Sequence, residues 1–217
     1  VPLTILVPRG AEEQAVRRGA GGRATILPIA AGAASAALPA GIDDAAFVVV
    51  VGLCGSLSSA RVGDVVVYAR IVAGNDDEVL DPDDVARACR LLATARPVVA
   101  CMSDHVVTSA AERAALAAHV AADVVDMEAL HLARALRAHG IRFAMVRVVS
   151  DDPAHDLPPI EHALDPSGAI RPLALASAFV RAPLAFVRFV RDVQASLRVI
   201  ASVAAALGTT AAADASK

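Results

Sequence analysis

Short apolar runs alternate along the chain with longer Ala-rich stretches, and the two patterns predict different elements. The runs predict strands at Leu3 to Val7, Thr25 to Ile29, Phe47 to Val51, Val65 to Ala69, Val98 to Met102, Val124 to Asp126 and Phe143 to Val149. The Ala-rich stretches predict helices at Glu12 to Gly19, Pro82 to Ala95, Ala110 to Val120, Glu128 to His139 and across the C-terminal third. Ser109 followed three residues later by Glu112 has the spacing of a capping box at a helix start. The acidic stretch Asn75 to Asp84 reads as a solvated loop that ends in a helix N-terminus, where Asp83 and Asp84 suit the dipole. Strands alternating with helices argue for an α/β protein with its strands sandwiched between helices.

The C-terminal third carries a pattern of its own. From Phe186 onward, Phe189, Val190, Val193, Leu197, Ile200 and Leu207 fall on one helical face. Arg181, Arg188, Arg191 and Arg198 outnumber the lone Asp192 there, which marks residues 178–208 as a basic amphipathic region. Two readings stay open: a face packed on the domain or on a second subunit, and a helix lying on a membrane surface. The Ala-rich tail from Thr209 to Lys217 is expected to be frayed.

Composition narrows the function classes. With 217 residues and 56% apolar content the chain can bury one large core, so residues 1–208 are read as a single domain. A formal net charge of −3 supplies no basic field for nucleic acid. Aromatic residues make up 3% and Trp is absent, so any base-stacking platform must be small. Cys54, Cys89 and Cys101 fit neither a disulfide framework nor zinc spacing, and read as free thiols in a reducing compartment. No apolar run is long and uninterrupted enough to span a bilayer, so the expected location is cytoplasmic, with membrane contact confined to the C-terminal helix.

Two acidic segments suggest the chemistry. Val125-Asp126-Met127-Glu128-Ala129 opens an apolar helix, and Val146-Arg147-Val148-Val149-Ser150-Asp151 ends a strand in an acid. Carboxylates at neighbouring element ends suit glycosidic cleavage, in which one group holds positive charge developing on the sugar while the other protonates the leaving group. Gly52-Leu53-Cys54-Gly55-Ser56-Leu57 follows the strongest strand, where glycines let a ligand approach the backbone or simply form a tight turn. It lacks the spacing of both a dinucleotide loop and a P-loop. Glu128 and His131 form a Glu-x-x-His pair, but no second copy occurs and no metal site is expected.

In chain order, the glycine segment, Val62-Gly-Asp-Val-Val-Val, Ser103-Asp104, Asp126-Met-Glu-Ala and Arg147-Val-Val-Ser-Asp resemble the purine nucleoside phosphorylase and methylthioadenosine nucleosidase superfamily. The resemblance covers most of the first 155 positions. Asp151-Asp152-Pro153 leading to Leu157-Pro158-Pro159, with the Arg-punctuated tail, is similar to the hopanoid-associated phosphorylase branch. The family implies a three-layer α/β/α sandwich with a central mixed sheet, a homo-oligomer and a purine nucleoside or adenosyl-lipid substrate. It implies that Met127 packs on the ribose, Glu128 binds its hydroxyls and Asp151 acts at purine N7, with Asp152 as the alternative one residue on. It further implies substrate contacts from Cys54, Gly55, Asp104, Val106, Val107 and Ser150.

The family's nucleosidases carry a water-activating glutamate after the first strand, and an ungapped register puts Glu13 there with Glu12 beside it. The sequence departs from its phosphorylases where Glu13, Val50 and Leu53 occupy positions of phosphate ligands. A carboxylate repels phosphate, so phosphorolysis needs another anion site, for which Arg9 and then Arg147 are the candidates. Val106 stands where nucleosidases stack an aromatic on adenine, leaving Phe47, Phe143 or His105 to substitute. The resulting expectation is phosphorolytic cleavage with phosphate as co-substrate and no cofactor. The alternatives are a hydrolytic nucleosidase and a non-catalytic nucleoside-binding protein.

Overall fold

A computed structural model describes residues 3–30, 32–160 and 172–214. Its elements run β1 (Thr4–Pro8), α1 (Ala11–Ala20), β2 (Thr25–Ile29), a 3-10 turn (Gly32–Ala36), β3 (Val48–Ser56), β4 (Val65–Ala73), β5 (Asp76–Val79), α2 (Pro82–Leu91), β6 (Arg96–Met102), α3 (Ala110–Val120), β7 (Val124–Asp126), α4 (Ala129–Ala138), β8 (Phe143–Val149), α5 (Pro172–Arg181) and α6 (Pro183–Asp214). The eight strands form one mixed sheet with helices against it, the α/β alternation that the pattern predicted and the mixed sheet that the family resemblance implied.

The strands with unbroken apolar runs take the centre. Every residue of β1 and β8 is buried, as parallel strands covered on both faces must be. β3 pairs in parallel with β1 through Val48 to Val50 and with β8 from Val48 to Cys54. β8 then pairs antiparallel with β4, β4 parallel with β6, and β6 parallel with β7. β7 returns to the far end of β3, where Val125 and Val124 lie opposite Gly55 and Ser56. The pairings β3-β8-β4-β6-β7-β3 therefore close into a ring, with β1 and β2 continuing the sheet outside it.

This closure depends on β3 continuing through Gly52 to Ser56, beyond the Val51 end that periodicity suggested. The glycine segment is strand rather than a tight turn. A second correction concerns the acidic stretch: Asp76–Val79 is a strand antiparallel to β4, pinned by Arg70 donating to both carboxylate oxygens of Asp77 at 2.7 and 2.6 Å. It lies on the sheet edge with little buried, so hydrophobic periodicity carried no signal of it. α2 ends at Leu91, short of Ala95, and is capped by Asp81, which accepts from the amides of Asp83 and Asp84. Ser109 caps α3 by accepting from the Glu112 amide at 3.4 Å, half of the expected box.

α6 packs along α1 and onto β3 and β8. A Cβ added at Gly19 would lie 1.9 Å from the Ala201 carbonyl oxygen, so the crossing admits only glycine. Of the predicted apolar stripe, Ile200 and Leu207 enter the main core together with Val203 and Ala204. Phe186 and Phe189 instead pack near Ile160 and Ala178. The helix runs on through Thr209 to Asp214, into the segment expected to be frayed.

Candidate active site

Because β1, β3 and β8 are parallel, their C-terminal ends share one edge of the sheet, the usual ligand edge of open α/β folds. Three groups of acids gather around that edge, and a buried carboxylate holds the first in place. Asp126 ends β7, and its Oδ2 accepts from Tyr68 Oη at 3.1 Å and from Arg147 Nε at 2.8 Å. The Arg147 and Asp126 side chains are 1% and 0% exposed. Arg147 also donates to the Val50 carbonyl at 3.1 Å, and its guanidinium lies 5.6 Å from the centre of the Tyr68 ring. Burial and then the Asp126 charge raise the Tyr68 phenol well above its ordinary value, so it stays a donor.

Asp126 Oδ1 accepts from the amides of Glu128 and Ala129 at 2.6 and 2.7 Å. It thereby anchors the first turn of α4 and fixes where Glu128 points. Glu128 Oε1 accepts from the Gly32 amide at 2.9 Å in the 3-10 turn. Burial and the Asp126 charge raise the Glu128 carboxyl above the usual glutamate value, against the opposing pull of Arg147 and the Gly32 amide.

The two glutamates of α1 separate. Glu13 pairs with Arg17 one turn along at 2.8 Å, on the outer side of the helix. Glu12 turns inward, where its Oε1 accepts from the Leu53 amide at 2.7 Å. Gly52 leaves it room, since a Cβ there would lie 3.2 Å from Glu12 Oε1 and 3.4 Å from Arg147 Cζ. Burial, partly offset by the Leu53 amide and reinforced by the Glu128 charge, lifts the Glu12 carboxyl from 4.5 to about 7. The structure thus groups Glu12, rather than Glu13, with Glu128.

Asp151 lies just past β8 and is buried. Its Oδ1 accepts from the Ser56 amide at 3.3 Å and faces Arg113 NH1 at 3.2 Å, while Ser150 Oγ donates to its Oδ2 at 3.3 Å. Burial raises its pKa above the ordinary aspartate value, against the lowering effect of Arg113. Ser150 Oγ also lies 3.1 Å from the Cys54 carbonyl, so its one proton is shared between the acid and β3. Gly55 leaves room beside them: a Cβ there would lie 3.0 Å from Val125 Cγ1 and 3.2 Å from Asp151 Oδ2, so a side chain would press on both. Asp152 points elsewhere, to His155 at 3.3 Å.

Arg113 was not singled out in the sequence. Its side chain is 1% exposed, with Nε donating to the Val107 carbonyl at 3.1 Å and NH1 to the Asp152 carbonyl at 2.9 Å, while buried NH2 has no hydrogen-bond partner among the described residues. On a helix dominated by Ala, nothing in the apolar pattern marks it as buried.

The remaining candidates divide. Met127 is partly buried between Asp126 and Glu128, and Cys54 is buried on β3 with its thiol raised by burial and by Asp126, hence neutral. Val107 is buried and Val106 packs near Phe186 and Phe189. Asp104 is exposed and pairs with His105 at 2.7 Å; His105 also bonds to Glu112 at 2.9 Å. Arg9 is exposed just past the end of β1, its amide donating to the Ile29 carbonyl at 3.0 Å. Phe47 lies under the Arg87 guanidinium at 4.1 Å, and Phe143 opens β8 at the end opposite Asp151, so neither ring reaches the site. Phe189 does come near it, lining a narrow crevice with Asp151 and Leu157.

Solved structures described as nucleosidases and as a futalosine hydrolase share this architecture. The 5'-methylthioadenosine/S-adenosyl homocysteine nucleosidase of Helicobacter pylori is 14% identical, with a TM-score of 0.66 over 98% of this chain and 97% of that one. A Borrelia burgdorferi protein described as a 5'-methylthioadenosine/S-adenosylhomocysteine nucleosidase, with adenine bound, is 12% identical with a TM-score of 0.69, covering 94% of this chain and 98% of its own. The futalosine hydrolase of H. pylori is 14% identical with a TM-score of 0.66, over 98% and 97% of the two chains. At such identities the likeness is one of fold. No curated protein sequence is significantly similar to the chain. The sequence profile described as Phosphorylase superfamily matches residues 29–182, which include Gly52, Glu128 and Asp151. The chain belongs to the Phosphorylase superfamily.

Proposed function

We propose that the protein hydrolyses the N-glycosidic bond of a purine nucleoside, with water activated by Glu12. The observation that carries this reading is the inward carboxylate of Glu12, raised to about 7 beside Glu128. A base with a pKa near the working pH combines a useful ionised fraction with real basicity. The same carboxylate opposes phosphate, and the interior arginine considered for that anion is already committed to another carboxylate. Arg147 is bound to Asp126 in the interior at 2.8 Å.

In this mechanism Glu128 accepts from the ribose hydroxyls and Met127 packs against the sugar. Glu128 adds negative charge where the oxocarbenium-like transition state develops positive charge. Asp151, whose protonated form is favoured by burial, donates to purine N7 as the glycosidic bond lengthens, and the base departs neutral. Glu12 takes the proton of the attacking water at C1' of the ribose. Asp126 touches no substrate and acts by holding the α4 first turn.

Adenine release from adenosine, methylthioadenosine and an adenosylated hopanoid in detergent, each with and without phosphate, tests the proposal. Release independent of phosphate is the expected result. Release only with phosphate would make the enzyme a phosphorylase, and preference for the lipid would favour the hopanoid-associated branch. Tight nucleoside binding without turnover would leave a binding protein.

A further inference from the structure

Among the described residues, the large exposed apolar side chains other than Val79 all gather where α5 meets α6. Phe179, Val180, Leu184 and Val187 are 46%, 77%, 82% and 60% exposed. The two helices run on with little interruption, since the Ala182 amide donates to the Ala178 carbonyl and the Phe186 amide to the Ala182 carbonyl. Val180, Leu184 and Val187 therefore share one face at i, i+4 and i+7 spacing. Ala178, Phe186 and Phe189 point the other way, toward Ile160 and Val106. The exposed face is not the stripe that packs on the domain at Ile200 and Leu207.

Positive charge surrounds this face. Arg181, Arg188 and Arg191 flank it, and the one acid of the stretch, Asp192, is buried and held by Arg191 at 2.9 Å. A cavity of about 620 Å³ adjoins it, between the loop after β3, the loop after Asp151 and α6. Arg61, Arg188 and Arg191 line that cavity with Ser58 and Ser59. Asp152 and Asp192 also line it, but they are paired with His155 and Arg191, whereas Arg61 and Arg188 form no ion pair among the described residues.

We propose that the α5–α6 corner is a peripheral docking surface for an anionic lipid bilayer, with Val180, Leu184 and Val187 entering the interface and the arginine-lined cavity receiving lipid phosphate. Charge decides between occupants. A second copy docked by a two-fold axis would bring the basic rim against itself, whereas an anionic lipid surface complements it. No described helix is long and apolar enough to cross a membrane, so contact is from one side. The surface adjoins the crevice of Asp151 through Ala185, Arg188 and Phe189 on α6, which would deliver a membrane-borne nucleoside conjugate to the leaving-group acid. The docking stands apart from the reaction proposed above, because lipid binding is read without turnover.

Co-sedimentation of the full chain with phosphatidylcholine vesicles, with and without phosphatidylglycerol, tests it. The expected result is binding to the anionic vesicles alone, weakening as salt rises. Leu184→Asp combined with Val187→Asp should lower that binding at least about tenfold, and Arg181→Glu should weaken it, both with unaltered melting temperature because these side chains are exposed. Absence of binding to anionic vesicles, or equal binding by the double variant, overturns the proposal. So does a wild-type dimer that the double variant converts to monomer in sedimentation velocity, since the face would then be a subunit interface.

Discussion

Arg113 and Asp151 face each other at 3.2 Å in the interior, with side chains 1% and 10% exposed. Of the groups around the acid, Arg113 exerts the largest downward pull on its pKa, opposing burial. Removing the guanidinium therefore raises the Asp151 pKa further and extends the pH range over which the acid keeps its proton. Arg113→Met should move the alkaline limb of the kcat/KM profile to higher pH. An unmoved limb would separate Asp151 ionisation from leaving-group activation.

Glu12 and Glu13 are neighbours with opposite environments, and their variants should differ accordingly. Glu12→Gln should lower turnover by about 10²- to 10⁴-fold, the range for loss of a general base. Glu13→Gln removes an exposed helix pair and should change stability by less than about 0.5 kcal/mol with turnover retained. In the wild type, activity should rise with pH through about 7 as Glu12 ionises. Steady-state rates from pH 5 to 9 (about two units either side of that value) check both statements.

The same raised pKa has a stability consequence. The folded state holds the Glu12 proton more tightly than the unfolded chain, whose reference value is 4.5. The unfolded chain therefore binds fewer protons between that value and about 7, and stability falls as pH rises across this window. Urea unfolding of Glu12→Gln should show a flatter dependence over that range than wild type. Identical slopes would place Glu12 in contact with water rather than in the interior.

Arg147 and Asp126 form a buried ion pair through Arg147 Nε and Asp126 Oδ2 at 2.8 Å. Arg147→Met leaves the Asp126 carboxylate with Tyr68 and two amides but no cation, and should destabilise the fold by about 3–5 kcal/mol. For a chain of this length that corresponds to a fall in Tm on the order of 10 °C by calorimetry. A fall of only a degree or two would mean that the amides and Tyr68 already compensate the charge.

Gly19→Ala tests the helix crossing, because the new Cβ would overlap the Ala201 carbonyl. Overpacking should cost about 1–3 kcal/mol and be visible as a lower urea midpoint. A neutral result would show that α6 can shift outward along α1.

What the sequence by itself determined is the set of strongly patterned elements and the acids worth attention. β2, β7, β8 and α3 lie where periodicity put them, because an apolar run or a capped Ala-rich helix states its own boundaries. Asp126, Glu128 and Asp151 were visible as acids at element ends. Tertiary structure alone decided which way each acid faces and what surrounds it. Glu12 and Glu13 are adjacent in sequence, but α1 turns by about 100° per residue, so packing on β3 turns one inward and leaves the other paired with Arg17 on the outer side of the helix. Arg113 and Arg147 resemble surface arginines in sequence, and only the closing of strands and α3 around two carboxylates buries them. Even the exposed and packed faces of α6 obey one periodicity, and only its contact with α1, β3 and β8 tells them apart.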